Sequence, residues 1–370
     1  MKIGVPREIK PQETRVAITP TGVLLLTGAG HQVLVQQGAG ASVGFDDEAY
    51  SEAGAEIVAD AAAIYRAEMI VKVKEPQIQE FSLLHAGQVL FSYLHLAPDP
   101  RQTKRLLERK VIGIAYETVT DSAGQLPLLA PMSEIAGRIA VQAGATALQM
   151  EGGGRGVLLG GVPGVEPGRV VVIGGGVVGL QAARMALGLG ADVTLLDRDL
   201  RRLRCLDDAF GPRLKTCFSD PASITRLTAG ADLVIGAVLV PGHRTPKLID
   251  RARVRAMRSG SVFVDVAIDQ GGCAETSRPT THQDPTYVVD DVVHYCVANI
   301  PSACGRTATL ALTNATLPYV MRLADLGFKD GLASDPGLLR GLNLHLGRVT
   351  NEGVSEAQGL EFIPPDQALG

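Results

Sequence analysis

Three glycines with a fixed spacing are the feature of this sequence that points most directly to one kind of chemistry. Gly174, Gly176 and Gly179 form a G-x-G-x-x-G pattern directly after the apolar run RVVVI and at the start of a helical pattern. The first glycine permits a tight turn, the second lets backbone N–H groups approach a pyrophosphate, and the third lets helix and strand pack closely. The pattern therefore predicts a dinucleotide site at the amino end of this helix.

An acidic residue follows the glycines at the distance that such a site requires. Asp197 ends the run DVTLLD, roughly 20 residues further on, where a carboxylate accepts hydrogen bonds from ribose hydroxyls. Because a carboxylate there repels a 2′-phosphate, the sequence predicts NAD rather than NADP. Two simpler interpretations remain open: the glycines alone are also typical of an ordinary α/β turn, and the neighbouring Arg198 is either a phosphate ligand or a solvated surface residue.

The elements that position these residues alternate between strand and helix patterns along most of the chain. Apolar strand-like runs recur in the amino-terminal part up to about Leu128, and they recur again between Val170 and Asn299. Such alternation is typical of α/β domains with parallel sheets. The runs are KIGV, HQVLVQ, MIVKVKEP, QVLFSYLHL and KVIGIAYETV in the first part, and VVVI, DVTLLD, ADLVIGAV, SVFVDVA and TYVVDDV in the second.

The length of 370 residues favours two domains, because single cores rarely grow beyond about 250–300 residues. A helical pattern from Ser133 to about Met150 and a glycine- and proline-rich stretch precede the second set of strands. The amphipathic pattern after Asn299 is expected to return to the first domain. We therefore predict an α/β protein with two doubly wound, Rossmann-like domains and a cleft between them, divided as 1–128 plus 306–370 and 129–305.

The composition excludes several classes of partner. A formal net charge of −4, without a long run of Lys and Arg, gives no field for nucleic acid. No apolar run reaches the roughly 18 residues of a membrane span, and the start MKIGVPREIK lacks the pattern of a signal peptide. The five cysteines, at 205, 217, 273, 296 and 304, show no zinc spacing and indicate reduced thiols. We expect a cytoplasmic protein with small-molecule partners.

Several segments, in order along nearly the whole chain, resemble the alanine dehydrogenase family. The most specific of them are VAIDQGGC and YCVANIP, and the others include ETRVAITP, VKVKEP, LFSYLHLA, APMSEIAGR and ALTNATLPYV. The resemblance implies NAD-dependent interconversion of L-alanine with pyruvate and ammonium. It also implies a homohexamer, while the implied reaction needs no metal ion.

The resemblance assigns four side chains to substrate and catalysis. Arg15 and Lys74 would hold the substrate carboxylate, as a guanidinium fork and an ammonium point charge can. His95 would be the catalytic acid/base, because imidazole titrates near working pH, and Asp269 the second catalytic residue. Taken alone, Arg15 is also typical of a surface arginine, Lys74 of a solvated strand edge shared with Lys72, and His95 of a core histidine.

Further residues match the family's cofactor-contacting motifs, several of them through backbone atoms. In the absence of the resemblance, the aliphatic members would be ordinary core residues and Arg202 a solvated one. The implied cofactor residues are Ser133, Gly174, Gly176, Val177, Gly179, Asp197, Arg202, Ser219, Val238, Leu239, Ile268, Arg278, Val297, Ala298, Asn299 and Ile300.

Two other functions are compatible with the same fold. The NAD-binding component of a proton-translocating transhydrogenase resembles the family over both domains, but it should lack the histidine and carboxylate set and carry a basic stretch before its SMANIAGY-like segment. This chain has AYETVTDSAGQLPLLAPMSEIAGR there and keeps His95, Lys74 and Asp269. A nucleotide-binding protein that has lost the reaction is the other alternative, and a turnover measurement distinguishes it.

Overall fold

The computed structural model describes residues 1–238 and 245–370, which divide into two compact units. Unit 1 comprises Met1–Met132 and Cys304–Gly370, and unit 2 comprises Ser133–Ala303. Each unit contains a largely parallel sheet with helices between consecutive strands. The predicted α/β, Rossmann-like fold class is thereby confirmed.

The strands carry the apolar runs of the sequence. In chain order they are β1 (Lys2–Val5), β2 (Gln32–Gln36), β3 (Glu56–Val58), β4 (Met69–Val71), β5 (Val89–Ser92), β6 (Ile112–Ala115), β7 (Arg169–Ile173), β8 (Asp192–Asp197), β9 (Leu214–Phe218), β10 (Leu233–Gly236), β11 (Val262–Asp265), β12 (Thr286–Val289), β13 (Val292–Tyr295), β14 (Leu342–His345) and β15 (Arg348–Val349). The central strands β4, β5, β10 and β11 are buried along their whole length, as expected for strands covered on both faces.

The helices fill the connections between the strands. They are α1 (Pro20–Gly28), α2 (Asp47–Glu52), α3 (Ala61–Ile64), α4 (Pro100–Arg109), α5 (Ala130–Ala147), α6 (Val177–Gly188), α7 (Leu200–Phe210), α8 (Pro221–Ala229), α9 (Arg251–Ala256), α10 (Gly305–Ala333), α11 (Pro336–Leu339), α12 (Glu352–Gln358) and α13 (Pro365–Leu369). Helix α1 begins with an N-cap at Thr19, because Gly22 N donates to Thr19 Oγ1 over 3.2 Å and Pro20 is the first helical residue.

In both sheets the first strand in the sequence lies third from one edge. In unit 1 the order β3-β2-β1-β4-β5-β6 is parallel, and β14 and β15 extend it antiparallel beside β6. In unit 2 the order β9-β8-β7-β10-β11-β13 is parallel, with β12 antiparallel at the edge. The strand order therefore reverses between β1 and β4 and between β7 and β10, which are the points where such sheets bind ligands.

The end of the second sheet differs from the sequence expectation. The run TYVVDDV is not one strand, because Asp290 and Asp291 form a two-residue turn with φ of 48° and 61° that joins β12 to β13. Two left-handed residues in succession are the geometry of a tight β-hairpin, and aspartate tolerates it better than most residues. The structure also contains strand β9, which the sequence patterns did not predict.

Two long helices flank the boundaries of the units. Helix α5 runs from Ala130 to Ala147, three residues earlier at each end than the predicted 133–150. Helix α10 is interrupted at Gly327, whose φ of 76° is left-handed. In the part of the chain that the structure describes, no helix combines the length and apolar character needed to cross a membrane.

Candidate active site

The candidate substrate residues of unit 1 follow the carboxyl ends of neighbouring strands. Arg15 lies in the connection after β1, Lys74 follows β4, His95 follows β5 and Glu117 follows β6. These four strands are adjacent in the sheet. The strand order therefore brings chain segments that lie far apart in the sequence to one edge of the sheet, at its point of reversal.

The guanidinium of Arg15 is buried against a carboxylate. Its Nε and Nη2 atoms donate to the two oxygens of Glu13, each over 2.6 Å, and its Nη1 lies 2.9 Å from Met132 Sδ. Burial alone would raise the pKa of Glu13, but the hydrogen bonds and charge of Arg15 outweigh it and lower that pKa to about 2. The two-bond pairing fixes the plane of the guanidinium, so Arg15 is not the solvated surface arginine of the simpler interpretation.

Lys74 differs from the other basic side chains around it. Lys10 pairs with Glu75 and Lys72 pairs with two carboxylates, whereas no ion pair involves Lys74 within residues 1–238 and 245–370. Burial lowers the pKa of Lys74, and the charges of Arg15 and Lys10 lower it further. A lysine that forms no ion pair with the described residues and lies in the field of a fixed arginine is suited to an anionic ligand.

The neighbouring Lys72 shows that this stretch is not a solvated strand edge. The side chain of Lys72 is fully buried, with Nζ 2.7 Å from Glu80 Oε1 and 3.3 Å from Glu8 Oε2. Strand β4 lies inside the sheet between β1 and β5. The solvated-edge interpretation of Lys72 and Lys74 is therefore wrong.

His95 has an unusual backbone conformation that a carboxylate supports. Its φ is 48°, which lies in the left-handed region that residues other than glycine seldom adopt. Glu117 Oε1 accepts the His95 N–H over 2.6 Å and lies 3.9 Å from the ring Nδ1, and both Glu117 oxygens accept from Leu94 N. The imidazole itself is 45% exposed, so His95 is not a core histidine and can meet a ligand.

Aromatic packing fixes the other side of the imidazole. The ring of Tyr93 stacks on that of His95 with 5.8 Å between centroids and an interplanar angle of 5°. Tyr93 OH donates to the carbonyl of Leu128 over 2.6 Å, and Tyr93 packs edge-on against Tyr116. His95 is thus held by a ring on one side and a carboxylate on the other.

The glycine loop of unit 2 has the geometry that the pattern predicts. Gly174 has φ of 102°, and a Cβ there would lie 2.7 Å from the carbonyl oxygen of Ala237. A Cβ on Gly179 would overlap the carbonyl of Gly174. By contrast, a Cβ on Gly176 would meet no atom within 4 Å among the described residues. Gly174 and Gly179 thus serve the fold, whereas Gly176 leaves open space at the start of α6.

Asp197 lies at the end of β8 against this loop. Its carboxylate accepts from Gly175 N over 2.5 Å and from Asp199 N over 2.8 Å. Arg202 Nε donates to the carbonyl of Gly175, so this side chain ties α7 to the loop and is not purely solvated. Each oxygen of Asp197 holds one backbone hydrogen bond and keeps acceptor capacity for a ribose hydroxyl.

The remaining cofactor candidates of unit 2 fall on several loops. Ser219 follows β9 and donates its N–H to the carbonyl of Asp197 over 2.9 Å. Val238 follows β10, Ile268 lies in the 3-10 helix Val266–Gln270 after β11, Ser133 is on α5 and Val177 is the first residue of α6. Leu239, another candidate, lies outside the described residues.

The carboxylates at the end of β11 and just after it have different environments. Asp265 is fully buried and accepts from Ala267 N, Cys273 N and Ser277 Oγ over 2.5–3.1 Å, so its carboxylate has a structural role in fixing the following loop. Asp269 lies four residues further on, and it is exposed. Asp269 and His95 belong to different units.

The segment Val297–Ile300 is fixed by hydrogen bonds within unit 2. Ala298 N donates to the carbonyl of Thr280 over 3.2 Å, and the Asn299 carbonyl accepts from Ser302 N and Oγ, each over 3.0 Å. Asn299 has φ of 55°. Arg278 places its guanidinium 4.0 Å from the centre of the Tyr287 ring.

Sequence reasoning missed the carboxylates that support the basic residues. Glu13 and Glu8 were not among the predicted site residues, although each contacts a predicted residue or its backbone. Glu13 and Arg15 lie two residues apart, and this spacing was the available signal for their ion pair. Glu8 and Val73 are 65 residues apart, and no local pattern connects them.

Family models match both parts of the chain. The alanine dehydrogenase/PNT N-terminal domain matches residues 4–136, and the alanine dehydrogenase/PNT C-terminal domain matches residues 140–352. The chain belongs to the alanine dehydrogenase/PNT family. The resemblance found in the sequence is thereby confirmed.

Individual members of the family cover the whole chain. Alanine dehydrogenases of Halomonas elongata and Methanococcus maripaludis are 57% and 54% identical over 371 residues, with 100% of each chain covered. A solved L-alanine dehydrogenase structure is 52% identical, has a TM-score of 0.94, and covers 96% of this chain and 99% of its own. A transhydrogenase structure from Sinorhizobium meliloti is 24% identical, with a TM-score of 0.82 over 95% of this chain and 99% of that one, and bears on the fold alone.

Proposed function

We propose that this chain catalyses the NAD-dependent oxidative deamination of L-alanine to pyruvate and ammonia, and the reverse reductive amination. The observation that carries the proposal is the partly buried Lys74, which has no ion pair among the described residues and lies in the field of Arg15. Relatives named alanine dehydrogenase, 52–57% identical over the full chain, support the same activity.

The substrate carboxylate binds to Arg15 and Lys74 in this proposal. Glu13 occupies the Nε and Nη2 atoms of Arg15 and thereby orients the guanidinium. Lys74 adds a charge that forms no ion pair with the described residues, and partial burial strengthens its attraction for an anion because the local dielectric constant is lowered. Together they hold the small acid in one orientation, which is the positioning part of catalysis.

Unit 2 holds the cofactor in this proposal. Gly176 leaves space for the pyrophosphate at the start of α6, and Asp197 faces the glycine loop as ribose acceptor. These residues would hold NAD, which would supply the hydride acceptor that oxidation at the substrate Cα requires. The other assigned contacts are Ser133, Gly174, Val177, Gly179, Arg202, Ser219, Val238, Leu239, Ile268, Arg278 and the segment Val297–Ile300.

Proton transfer is assigned to His95, with Asp269 as the second catalytic residue. Nδ1 of His95 lies beside Glu117, so Nε2 is the nitrogen that we assign to the reacting groups. His95 accepts a proton from the water that adds to the imine carbon and returns a proton to the departing amine. Asp269 accepts hydrogen bonds from the amine or the water, and loss of ammonia leaves pyruvate.

The domain roles follow from these assignments. We assign residues 1–128 plus 306–370 to the substrate domain and 129–305 to the NAD-binding domain, each with its site at the carboxyl edge of its sheet. The compact units with boundaries near Met132 and Cys304 support this division.

We further propose that the protein acts in the cytoplasm as a homohexamer. The five cysteines are all unpaired, which supports a reducing compartment. The hexamer is supported by the family resemblance, and light scattering coupled to gel filtration tests it through the measured mass: a stable monomer would contradict it.

A panel of amino acids tests the proposed reaction. Purified protein with NAD should form NADH much faster with L-alanine than with L-lysine or L-glutamate, and with NADH it should consume pyruvate only when ammonium is present. Activity with a long side chain equal to that with L-alanine would contradict the substrate assignment. An absence of turnover with all of them, despite NADH binding, would favour a nucleotide-binding protein without this reaction.

A further inference from the structure

A buried set of charges lies beside the candidate carboxylate site in unit 1. Lys72 is fully buried between the carboxylates of Glu8 and Glu80, and Tyr65 OH donates to Glu80 Oε1 over 2.6 Å. Removing these groups from water is costly unless each one is paired. The roles proposed above for Lys74 and Arg15 leave this set without an assigned function.

Glu8 and Glu80 differ in what else they bind. Glu8 uses Oε2 for Lys72 and Oε1 for the backbone, accepting from Val73 N over 2.7 Å and from Lys74 N over 3.4 Å. Glu80 uses Oε1 for Lys72 and Tyr65 and Oε2 for Gln77 N. Thus Glu8 holds the backbone at Lys74, whereas Glu80 holds a later part of the same connection.

The place of Glu8 in the fold explains this contact. Glu8 follows β1 and Lys74 follows β4, and these two strands are paired at the point where the strand order reverses. Chain segments that leave adjacent strands at such a point diverge to opposite faces of the sheet. A carboxylate that spans them fixes the distance between the two connections.

We propose that Glu8 is a positioning residue for substrate binding, which holds the Val73–Lys74 backbone so that the Lys74 ammonium meets the substrate carboxylate. The proposal rests on the proposed function of Lys74. A lysine side chain has a flexible four-carbon stem that ends in a point charge, so its own geometry does not fix the position of the ammonium. Fixing the backbone from which it projects removes part of that freedom before the substrate binds.

A carboxylate is required at position 8 because two donors face it from different sides. In Glu8→Gln, one amide oxygen replaces two carboxylate oxygens, so the NH₂ group faces either the Lys72 ammonium or the Val73 N–H. Lys72 keeps Glu80 as its counter-ion in this variant. Glu80→Gln is the matched control, because it also leaves Lys72 with one carboxylate but spares the hydrogen bonds at Val73 and Lys74.

The test compares reductive amination by wild type, Glu8→Gln and Glu80→Gln at saturating NADH and ammonium. Glu8→Gln should raise the KM for pyruvate about 10-fold, as expected when a hydrogen bond to a charged group is lost, with kcat changed less than about 3-fold. The KM for NADH should stay within about 2-fold. Glu80→Gln should leave the KM for pyruvate within about 2-fold, and amide exchange at Val73 and Lys74 should accelerate only in the Glu8 variant.

A second variant covers the case in which Glu8→Gln does not fold. Glu8→Asp keeps the charge beside Lys72 but withdraws the carboxylate by about one carbon–carbon bond, about 1.5 Å, and should raise the KM for pyruvate in the same way. An unchanged KM in the folded Glu8 variants would overturn the proposal, as would an equal rise in Glu80→Gln. Failure of the proposed function is distinguishable, because wild type itself would then not reduce pyruvate.

Discussion

The two units have the same order of parallel strands, yet the candidate site of unit 2 is built from backbone groups and that of unit 1 from charged side chains. In unit 2 the loop after the central strand β7 is short and rich in glycine, and it offers backbone N–H groups and open space at Gly176. In unit 1 the connections after β1 and β4 carry charged side chains, including the buried Arg15 and the partly buried Lys74. One topology thus supports a backbone-built site in one unit and a side-chain-built site in the other.

The difference follows from the ligand that each site is proposed to hold. A pyrophosphate is large and needs close approach of the main chain, so side chains must be absent. A small carboxylate needs fixed cations, and these must be balanced by carboxylates to be stable when buried. Arg15 with Glu13, and Lys72 with Glu8 and Glu80, meet this requirement in unit 1.

The largest expected effect concerns proton transfer in unit 1. His95→Ala should lower kcat by at least ~100-fold, the usual size of a lost acid/base contribution, while the dissociation constant for NADH stays near that of wild type. Steady-state kinetics and NADH fluorescence titration measure the two quantities. His85→Ala is the control, because His85 is an exposed histidine of the same unit, and near-normal turnover of His95→Ala would remove His95 from the mechanism.

The next effect separates the two lysines after β4. Lys74→Met should raise the KM for pyruvate by ~30-fold, because the substrate carboxylate loses a charge-assisted contact, with little change in melting temperature. Lys72→Met should mainly lower the melting temperature, since it leaves two buried carboxylates without their cation. If Lys74→Met lowered the melting temperature and left the KM for pyruvate unchanged, Lys74 would have the structural role assigned here to Lys72.

The same site has an expected pH signature. Burial and the charges of Arg15 and Lys10 lower the pKa of Lys74 below its usual 10.5. Because lysine loses its charge as pH rises through its pKa, the KM for pyruvate should rise on the alkaline side at a pH below 10.5. Lys74→Arg should shift that rise to higher pH, since the guanidinium keeps its charge there.

A smaller effect is expected for cofactor choice in unit 2. Asp197→Ala should change the ratio of kcat/KM for NAD to that for NADP by at least ~10-fold toward NADP, because it removes both a ribose acceptor and a repulsion of the 2′-phosphate. Asp192→Ala, at the other end of the same strand, is the control. An unchanged ratio would mean that another residue contacts the ribose.

The smallest effect distinguishes the glycines of the loop. Gly176→Ala should leave the melting temperature unchanged and weaken NADH binding by ~5-fold, since a Cβ there meets no described atom but enters the proposed phosphate space. Gly179→Ala should instead lower the free energy of unfolding by about 1–3 kcal/mol, because its Cβ overlaps the Gly174 carbonyl. Scanning calorimetry measures the stability of the two variants, and titration calorimetry measures their NADH binding. Equal destabilisation by the two substitutions would contradict the different roles assigned to the two glycines.

Local patterns were enough to predict the features that depend on local sterics. The roles of Gly174 and Gly179 in the loop could be anticipated because a left-handed turn and a close helix contact each exclude a side chain. The two doubly wound domains could be anticipated because buried parallel strands are apolar throughout. The hairpin at Asp290 and Asp291 was missed, since its continuous apolar and acidic run gives no glycine or asparagine turn signal.

The charge pairs of unit 1 could not be predicted in the same way. Which carboxylate meets which cation depends on where connections far apart in the sequence meet, as Glu8 and Val73 do across 65 residues. Lys72 and Lys74 are the same residue type and lie two residues apart after β4, but among the described residues only Lys72 forms ion pairs. The catalytic and cofactor roles themselves stay predictions, since they concern groups that bind from outside the chain.

The division of labour between the two units is the central claim, and titration of NADH into Lys74→Met and Asp197→Ala tests it most directly. The account predicts that Asp197→Ala weakens NADH binding by ~10-fold, whereas Lys74→Met leaves the dissociation constant within about 2-fold of wild type. The double variant should show the sum of the two free-energy changes. Equal weakening of NADH binding by both single variants would contradict the claim that unit 2 holds the cofactor and unit 1 the substrate carboxylate.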